Sequence, residues 1–339
     1  MNKKSEVSNI IRGCWQLACG HSQQKTDIQP IINAIDCGFD TFDCADIYLG
    51  VEELIGQAAK AAGKKVYVHT KFVPDLDVLQ HIDQKYIENI IDRSRRRLEV
   101  ECIDLVQFHW WDWNVKNYLP AMKILSHLKD LGKIAKIGLT NVNKVYLEEF
   151  TTHFEVASLQ VQGSLFDKRL ERGLKEFCRN MNIKIYAYGS LLGGFLHKNW
   201  LNRPEPSLEQ LQNRSLVKYK LLIDSACGWK EFQRRLLILN KLAEKYHSDI
   251  GCIAIAAFLQ AGCADAVIVG LSPRNYAAQN QSLALLPQLE AHELQELHAW
   301  ACNLAGDPYD EERDITKAHA KVMKYNLNAR KINEKKSPF

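Results

Sequence analysis

The sequence predicts an α/β fold, a (β/α)8 barrel with a long insertion after its seventh strand. Eight short runs rich in Val, Ile, Phe or Tyr lie along the 339 residues, as parallel strands buried on both faces require. Segments with helical periodicity alternate with them. No Gly-x-Gly-x-x-Gly follows an early strand, as an open dinucleotide-binding sheet would want.

The strand candidates are residues 12–17, 39–43, 66–71, 103–109, 134–139, 157–162, 184–188 and 266–270. Between the first two, Ile28, Ile31, Ile32 and Ile35 fall on one helix face, with Thr26 as N-cap. Tyr86, Ile87, Ile90 and Ile91 repeat the pattern, as do Tyr118, Met122, Leu125 and Leu128. Residues 191–262 separate strands seven and eight. Their first half holds Pro204 and Pro206 and reads as an insertion. Residues 229–260 read as two helices with a break at His247-Ser248. The barrel domain is expected over residues 1–305. Residues 306–339 turn polar, with an acidic start and a basic end, and read as a surface-attached or partly disordered extension.

Composition narrows the function. Hydrophobic residues make up 46% and charged residues 25%, as in an ordinary globular protein. A net charge of +4 is too small on this length to argue for nucleic acid or an anionic membrane. The ten cysteines are scattered, and no pair has two-residue zinc-ribbon spacing. They read as small core residues of a reducing compartment. Residues 1–8 are polar and lack a signal-peptide apolar stretch. The expected location is the cytoplasm.

Catalytic residues of a barrel sit at the C-terminal ends of its strands. Asp43 ends strand two, Tyr48 follows in the loop, Lys71 ends strand three and His109 ends strand four. A single Lys or Asp at a strand end is ordinarily a solvated rim residue; four together carry a reading. Reducing a carbonyl requires a hydride to carbon and a proton to oxygen. A tyrosine hydroxyl can give the proton, although its free pKa of about 10 is high for neutral pH. A lysine ammonium at about 4 Å would favour the phenolate by roughly 4 kcal/mol, about three pKa units before desolvation. The expected roles are Tyr48 as acid/base, Lys71 as its tuner, Asp43 as the orienter of Lys71, and His109 as the binder of the substrate oxygen. His69 shares a strand face with Lys71 and reads as a satisfied core histidine.

With these residues in view, the sequence resembles the aldo/keto reductase superfamily. Phe39-Asp40-Thr41-Phe42-Asp43-Cys44-Ala45-Asp46-Ile47-Tyr48 looks like its strand-two signature. Ile103-Asp104-Leu105-Val106-Gln107-Phe108-His109-Trp110 looks like its strand-four signature, and Ile137-Gly138-Leu139-Thr140-Asn141 resembles its Ile-Gly-x-Ser-Asn segment. The resemblance runs from Arg12 to about Asn280. It implies reduction of aldehydes and ketones with NADP(H), with NAD as the alternative. It implies that Thr140, Asn141 and Gln160 hold the nicotinamide carboxamide and that Tyr188 stacks on the ring; the bland alternatives are a helix cap at Asn141 and a core role for Tyr188. Where the family often reads Ser-Pro-Leu, this chain has Gly189-Ser190-Leu191-Leu192-Gly193-Gly194, whose glycines suit backbone amides near a pyrophosphate. After strand eight come Gly270 and then Arg274, the one basic residue there for a 2′-phosphate, with Gln279 and Asn280 at the adenine positions.

Trp15 and Trp110 are candidates to line an apolar substrate pocket; packing of loops is the alternative for the tryptophans after His109. Arg93, Arg95, Arg96 and Arg97 end a helix and read as partners of its dipole on a solvated face. No metal-ligand spacing or nucleophile motif stands out. The expected partner is a small carbonyl or alcohol. The rival reading is a cofactor-binding regulatory subunit of the same fold with little turnover.

Overall fold

A computed structural model of the chain describes residues 9–18, 27–211, 213–271, 276–314 and 316–322. Eight strands close into a barrel in chain order. They are β1 (Ile10–Gly13), β2 (Thr41–Asp43), β3 (Tyr67–Phe72), β4 (Leu105–Phe108), β5 (Ile137–Thr140), β6 (Ser158–Gln162), β7 (Lys184–Tyr188) and β8 (Ala266–Gly270). β8 pairs with β1 in parallel, Ile11 opposite Ile268, which closes the ring. Ile11, Leu105, Tyr186 and Ala266 pack as one buried cluster. Layers of inward side chains of this kind fill a barrel of eight strands.

Each expected strand run contains or overlaps an observed strand. β1 differs most. It starts two residues earlier and stops at Gly13. Trp15–Leu17 form a 3-10 turn, closed by Leu17 N–H donating to the Cys14 carbonyl at 3.0 Å. Trp15 therefore stands on a turn after β1, not on the strand.

The helices are α1 (Gln29–Asp36), α2 (Val51–Ala62), α3 (Gln84–Leu98), α4 (Tyr118–Asp130), α5 (Lys144–His153), α6 (Leu174–Asn180), α7 (Arg214–Ala226), α8 (Trp229–Lys245), α9 (Ile250–Gln260), α10 (Tyr276–Ala284), α11 (Ala291–His298) and α12 (Asp310–Arg313). Thr26, the expected cap of α1, lies outside the described residues. α3 buries Ile87, Ile90 and Ile91 and is capped by Asp83, which accepts from Tyr86 N–H at 2.7 Å. α8 and α9 are the two helices expected in 229–260. Between them His247 has φ +49°, a left-handed residue that ends the first helix. No helix among the described residues is long and apolar enough to cross a membrane.

Arg93 and Arg97 of α3 are less solvated than their sequence suggests, while Arg96 is exposed. Arg97 Nη1 donates to the Asp46 carbonyl at 3.2 Å and pairs with the buried Glu52 at 3.4 Å. Arg93 lies 3.5 Å from the buried Asp46 carboxylate. These contacts tie the loop after β2 to α2 and α3.

The chain divides into two compact units. The first comprises the described residues of Met1–Val161, Lys175–Tyr188 and Ala264–Leu286, and carries the barrel strands but for the last residue of β6. The second comprises those of Gln162–Leu174, Gly189–Cys263 and Pro287–Phe339. Its core has Phe166 edge-on to Trp300 and tilted against Phe232. Arg169, fully buried there, pairs with Asp167 at 2.7 Å and with Glu311 at 3.1 Å.

Candidate active site

The barrel register brings the strand-end residues together within the first unit. Asp43 is the last residue of β2 and Lys71 the fifth of β3. Lys71 Nζ donates to Asp43 Oδ2 at 2.7 Å and to the Cys44 carbonyl at 2.6 Å. The other Asp43 oxygen accepts from Gln160 Nε2 at 2.6 Å and from Gln107 Nε2 at 3.1 Å. The carboxylate thus takes three hydrogen bonds in a buried setting, one of them from the Lys71 ammonium. Lys71 Nζ stands 5.3 Å from the centre of the Tyr48 ring. Trp15 meets the same ring edge-on at 4.7 Å. His109, just past β4, is anchored by its N–H to the Phe72 carbonyl at 3.0 Å, and its ring stands edge-on to Trp111 at 4.4 Å.

The electrostatics of this set differ from the sequence expectation in one sign. Burial disfavours the phenolate of Tyr48 more than the Lys71 ammonium favours it, and Asp43 adds to the burial effect. The Tyr48 pKa is pushed up to about 12. Tyr48 is therefore a neutral phenol at physiological pH. Burial also works against the Lys71 ammonium, but Asp43 and Tyr48 outweigh it, so its pKa rises above the usual lysine value. Lys71 stays charged.

Next to this set lie the residues expected to hold an amide. Thr140 ends β5 and sits opposite Gln160 of β6. Thr140 Oγ1 donates to Gln160 Oε1 at 3.5 Å. Gln160 is the third of the five residues of β6. Asn141 has φ +57°, the left-handed conformation that Asn tolerates. Its Oδ1 accepts from Tyr188 Oη at 2.8 Å. It is not the cap of the following helix; Asn143 is, accepting from Tyr146 N–H at 3.2 Å.

This geometry has relatives. Residues 9–301 match the aldo/keto reductase family. The chain belongs to the aldo/keto reductase family. It is 28% identical over 321 residues to aldo-keto reductase YhdN of Bacillus subtilis, covering 91% of this chain and 89% of that one. It is 32% identical over 201 residues to aldo-keto reductase yakc [NADP(+)] of Schizosaccharomyces pombe, covering 54% and 58%. The structure of aldo-keto reductase AKR11C1 from Bacillus halodurans, in its holo form, superposes with a TM-score of 0.66 at 21% identity, covering 91% and 96%. This aldo/keto reductase is an oxidoreductase acting on carbonyl and alcohol groups.

The remaining expected site residues of the reductase divide into three groups. Asn280 of α10 is fully buried, and among the described residues neither Oδ1 nor Nδ2 has a hydrogen-bond partner. Ser190 is likewise buried with an unpartnered Oγ. Buried amides and hydroxyls without partners are costly, so both could take a polar ligand's hydrogen bonds. Gln279 is half-buried, and Arg274 lies outside the described residues. Gly189 and Gly193 have a packing reason of their own. They adopt φ +81° and +64°, and a Cβ there would approach Tyr219 to 2.2 and 2.6 Å. Tyr219 of α7 thus occupies the space that these glycines leave, whatever else their amides hold. Leu191 is half-buried beside them. Gly270 ends β8, and a Cβ there would meet the Gln16 side chain at 2.5 Å.

One expectation fails outright. Trp110 does not line a pocket. It is fully buried, stacks on Phe108 at 5.7 Å, and its Nε1 donates to the carbonyls of Asp112 and Val115. Its neighbour Trp111 meets His109 instead, with Nε1 donating to the Pro74 carbonyl at 2.8 Å. Trp111 is one of the tryptophans after His109 considered for the pocket, and it is the one that meets the His109 ring; Gln107, a partner of Asp43, was not singled out in the sequence. The signal for Gln107 was its parity: two residues before His109, it shares the inward face of β4.

Proposed function

We propose that this chain reduces an aldehyde or ketone to an alcohol, or runs the reverse, with NADP(H) and with Tyr48 as the general acid/base. The observation that carries the reading is the buried Lys71–Asp43 pair, at 2.7 Å, set against the Tyr48 ring. Bound cofactor would supply or take the hydride. The chain's own residues handle the proton. Tyr48 donates its hydroxyl proton to the carbonyl oxygen as negative charge develops there. Lys71 stabilises the phenolate left behind, and Asp43 keeps Lys71 charged and aimed. His109 orients the substrate oxygen, and Trp15 and Trp111 supply apolar surface around it.

The residues fit a nicotinamide dinucleotide. Thr140, Asn141 and Gln160 offer donors and acceptors for a carboxamide, and Tyr188 offers a flat ring. The unpartnered amide of Asn280 matches the paired donor and acceptor of an adenine edge. Ser190 and the amides around Gly189, Leu191, Gly193 and Gly270 would take the phosphates, with Gln279 beside the adenine. For the 2′-phosphate this reading relies on Arg274. One charge-assisted bond is worth roughly 1.5–3 kcal/mol, about ten- to a hundredfold in affinity. The Schizosaccharomyces pombe relative carries NADP(+) in its name and an Escherichia coli relative is named NADH-specific, so the choice of NADP over NAD rests on Arg274. Titrating both cofactors tests it: NADP binding tighter by that factor is expected, and equal affinities would refute it.

We place the catalytic barrel in residues 1–305, with 306–339 as an extension, and the enzyme in the cytoplasm. The thiols support that location, since the described cysteines form no disulfide.

The direct test mixes protein, NADPH and a panel of aldehydes and follows the absorbance of the reduced cofactor. Turnover in the wild type that is lost in Tyr48→Phe, with NADPH binding retained, is the expected outcome. NADPH binding with no turnover of any aldehyde would favour a regulatory subunit instead. The pH dependence adds a sign. Reduction draws on the phenol and holds its rate from neutral pH into the alkaline range. Alcohol oxidation draws on the phenolate and accelerates as pH rises towards the Tyr48 pKa of about 12.

A further inference from the structure

We propose that the second unit holds a divalent zinc-type metal ion between Glu171, Cys263 and His298. None of the three belongs to the Tyr48 set. His298 Nε2 lies 3.1 Å from Glu171 Oε2, and Cys263 Sγ lies 3.7 Å from Glu171 Oε1. One ligand atom of each residue falls within 4.8 Å of the others. A tetrahedral zinc ion with bonds of about 2.0–2.3 Å separates sulfur, nitrogen and oxygen ligands by roughly 3.3–3.6 Å. An ion therefore fits with small side-chain movements.

The chemistry of the set suits zinc. Thiolate, imidazole and carboxylate together are the donors of borderline-soft metals. On binding, the Cys263 thiol releases its proton to solvent. Thiolate and carboxylate then balance the two positive charges, and His298 binds as the neutral imidazole. Access is open from one side: Cys263 is buried, while Glu171 and His298 are part-exposed. Water would complete the fourth position. One neighbour opposes the ion. Lys168 lies near enough to Glu171 and Cys263 to interact with both, and its Nζ donates to the His298 carbonyl.

Backbone placement gives the set a structural purpose. The second unit is made of three separate chain segments, and each contributes one ligand. Glu171 ends the 3-10 turn Arg169–Glu171, Cys263 follows the left-handed Gly262 after α9, and His298 ends α11. An ion here would staple the three segments, stabilising the folded unit in proportion to its affinity.

The test uses the full-length protein, treated with a chelator and titrated with Co²⁺ as a spectroscopic stand-in, then with Zn²⁺. The expected result is saturation at one equivalent, with a thiolate-to-cobalt charge-transfer band in the near ultraviolet that Zn²⁺ abolishes, and a higher Tm with Zn²⁺. Cys263→Ser removes the band, and His298→Gln weakens binding by roughly tenfold or more. Failure of the wild type to bind one equivalent would overturn the proposal, as would a band that survives Cys263→Ser. If Cys263→Ser does not fold, His298→Gln decides at a part-exposed position: unchanged affinity overturns the site.

Discussion

Asp43 and Asn280 are both buried in the first unit, and their surroundings are opposite. Asp43 takes hydrogen bonds from Lys71, Gln160 and Gln107. The Asn280 side chain takes and gives none among the described residues. The first arrangement holds the Lys71–Asp43 pair in place without a ligand, so little reorganisation would remain for the proposed proton step at Tyr48. The second leaves a buried amide unsatisfied, at about 1–3 kcal/mol, until a ligand supplies its partners. On the proposed reading, the group near the reacting bond is held by protein and the group for a ligand's edge is left open for it.

The contrast can be broken first at its catalytic side. Lys71→Met removes the ammonium beside Tyr48 and leaves Asp43 without its cation. Turnover should fall about 10²- to 10⁴-fold, the range of a general acid–base contribution, with cofactor affinity kept within a few-fold. A loss below tenfold in steady-state assays would detach Lys71 from the proton step.

Asn280→Leu probes the other side and should be smaller. Cofactor binding should weaken about ten- to a hundredfold by fluorescence titration, with kcat unchanged. Without cofactor the variant should melt higher, because an unsatisfied buried amide is gone. Unchanged affinity, or a lower Tm, would mean that Asn280 is satisfied in a way that the contrast does not allow.

His69 sharpens the comparison with the smallest effect. It is buried against Tyr186 at 5.2 Å, with Nδ1 unpartnered. Burial, with Lys71 and Lys136 adding, lowers its pKa to about 3. The folded histidine stays neutral while the unfolded one protonates below about 6.5. Its contribution is therefore intact above pH 6.5 and is lost as pH falls towards 3, at no more than about 1.4 kcal/mol per pH unit. Denaturant melts across that window should show this slope in the wild type and a shallower one in His69→Gln. Equal slopes would place the acid sensitivity elsewhere.

The strands were legible because parallel strands covered on both faces read as continuous apolar runs. The Tyr48 set was legible because strand ends carry the few ionisable residues in those runs. What local sequence did not show depended on partners distant in the chain. Gly189 and Gly193 read as a phosphate loop, and nothing local announced Tyr219 of α7 filling the space beside them. Trp110 and Trp111 are adjacent and chemically identical; only their opposite orientation makes one core and the other a neighbour of His109. The Tyr48 pKa was missed in sign because attraction by Lys71 is visible in a motif and the depth of burial is not.

The central claim is that Lys71 acts through Tyr48. A double-mutant cycle on carbonyl reduction tests it most directly, with Tyr48→Phe, Lys71→Met and the double variant compared with the wild type at saturating NADPH. The double variant should be no slower than Tyr48→Phe alone, since an ammonium has nothing to tune once the hydroxyl is gone. Losses that multiply, each variant slowing the reaction by its full factor in the presence of the other, would contradict it.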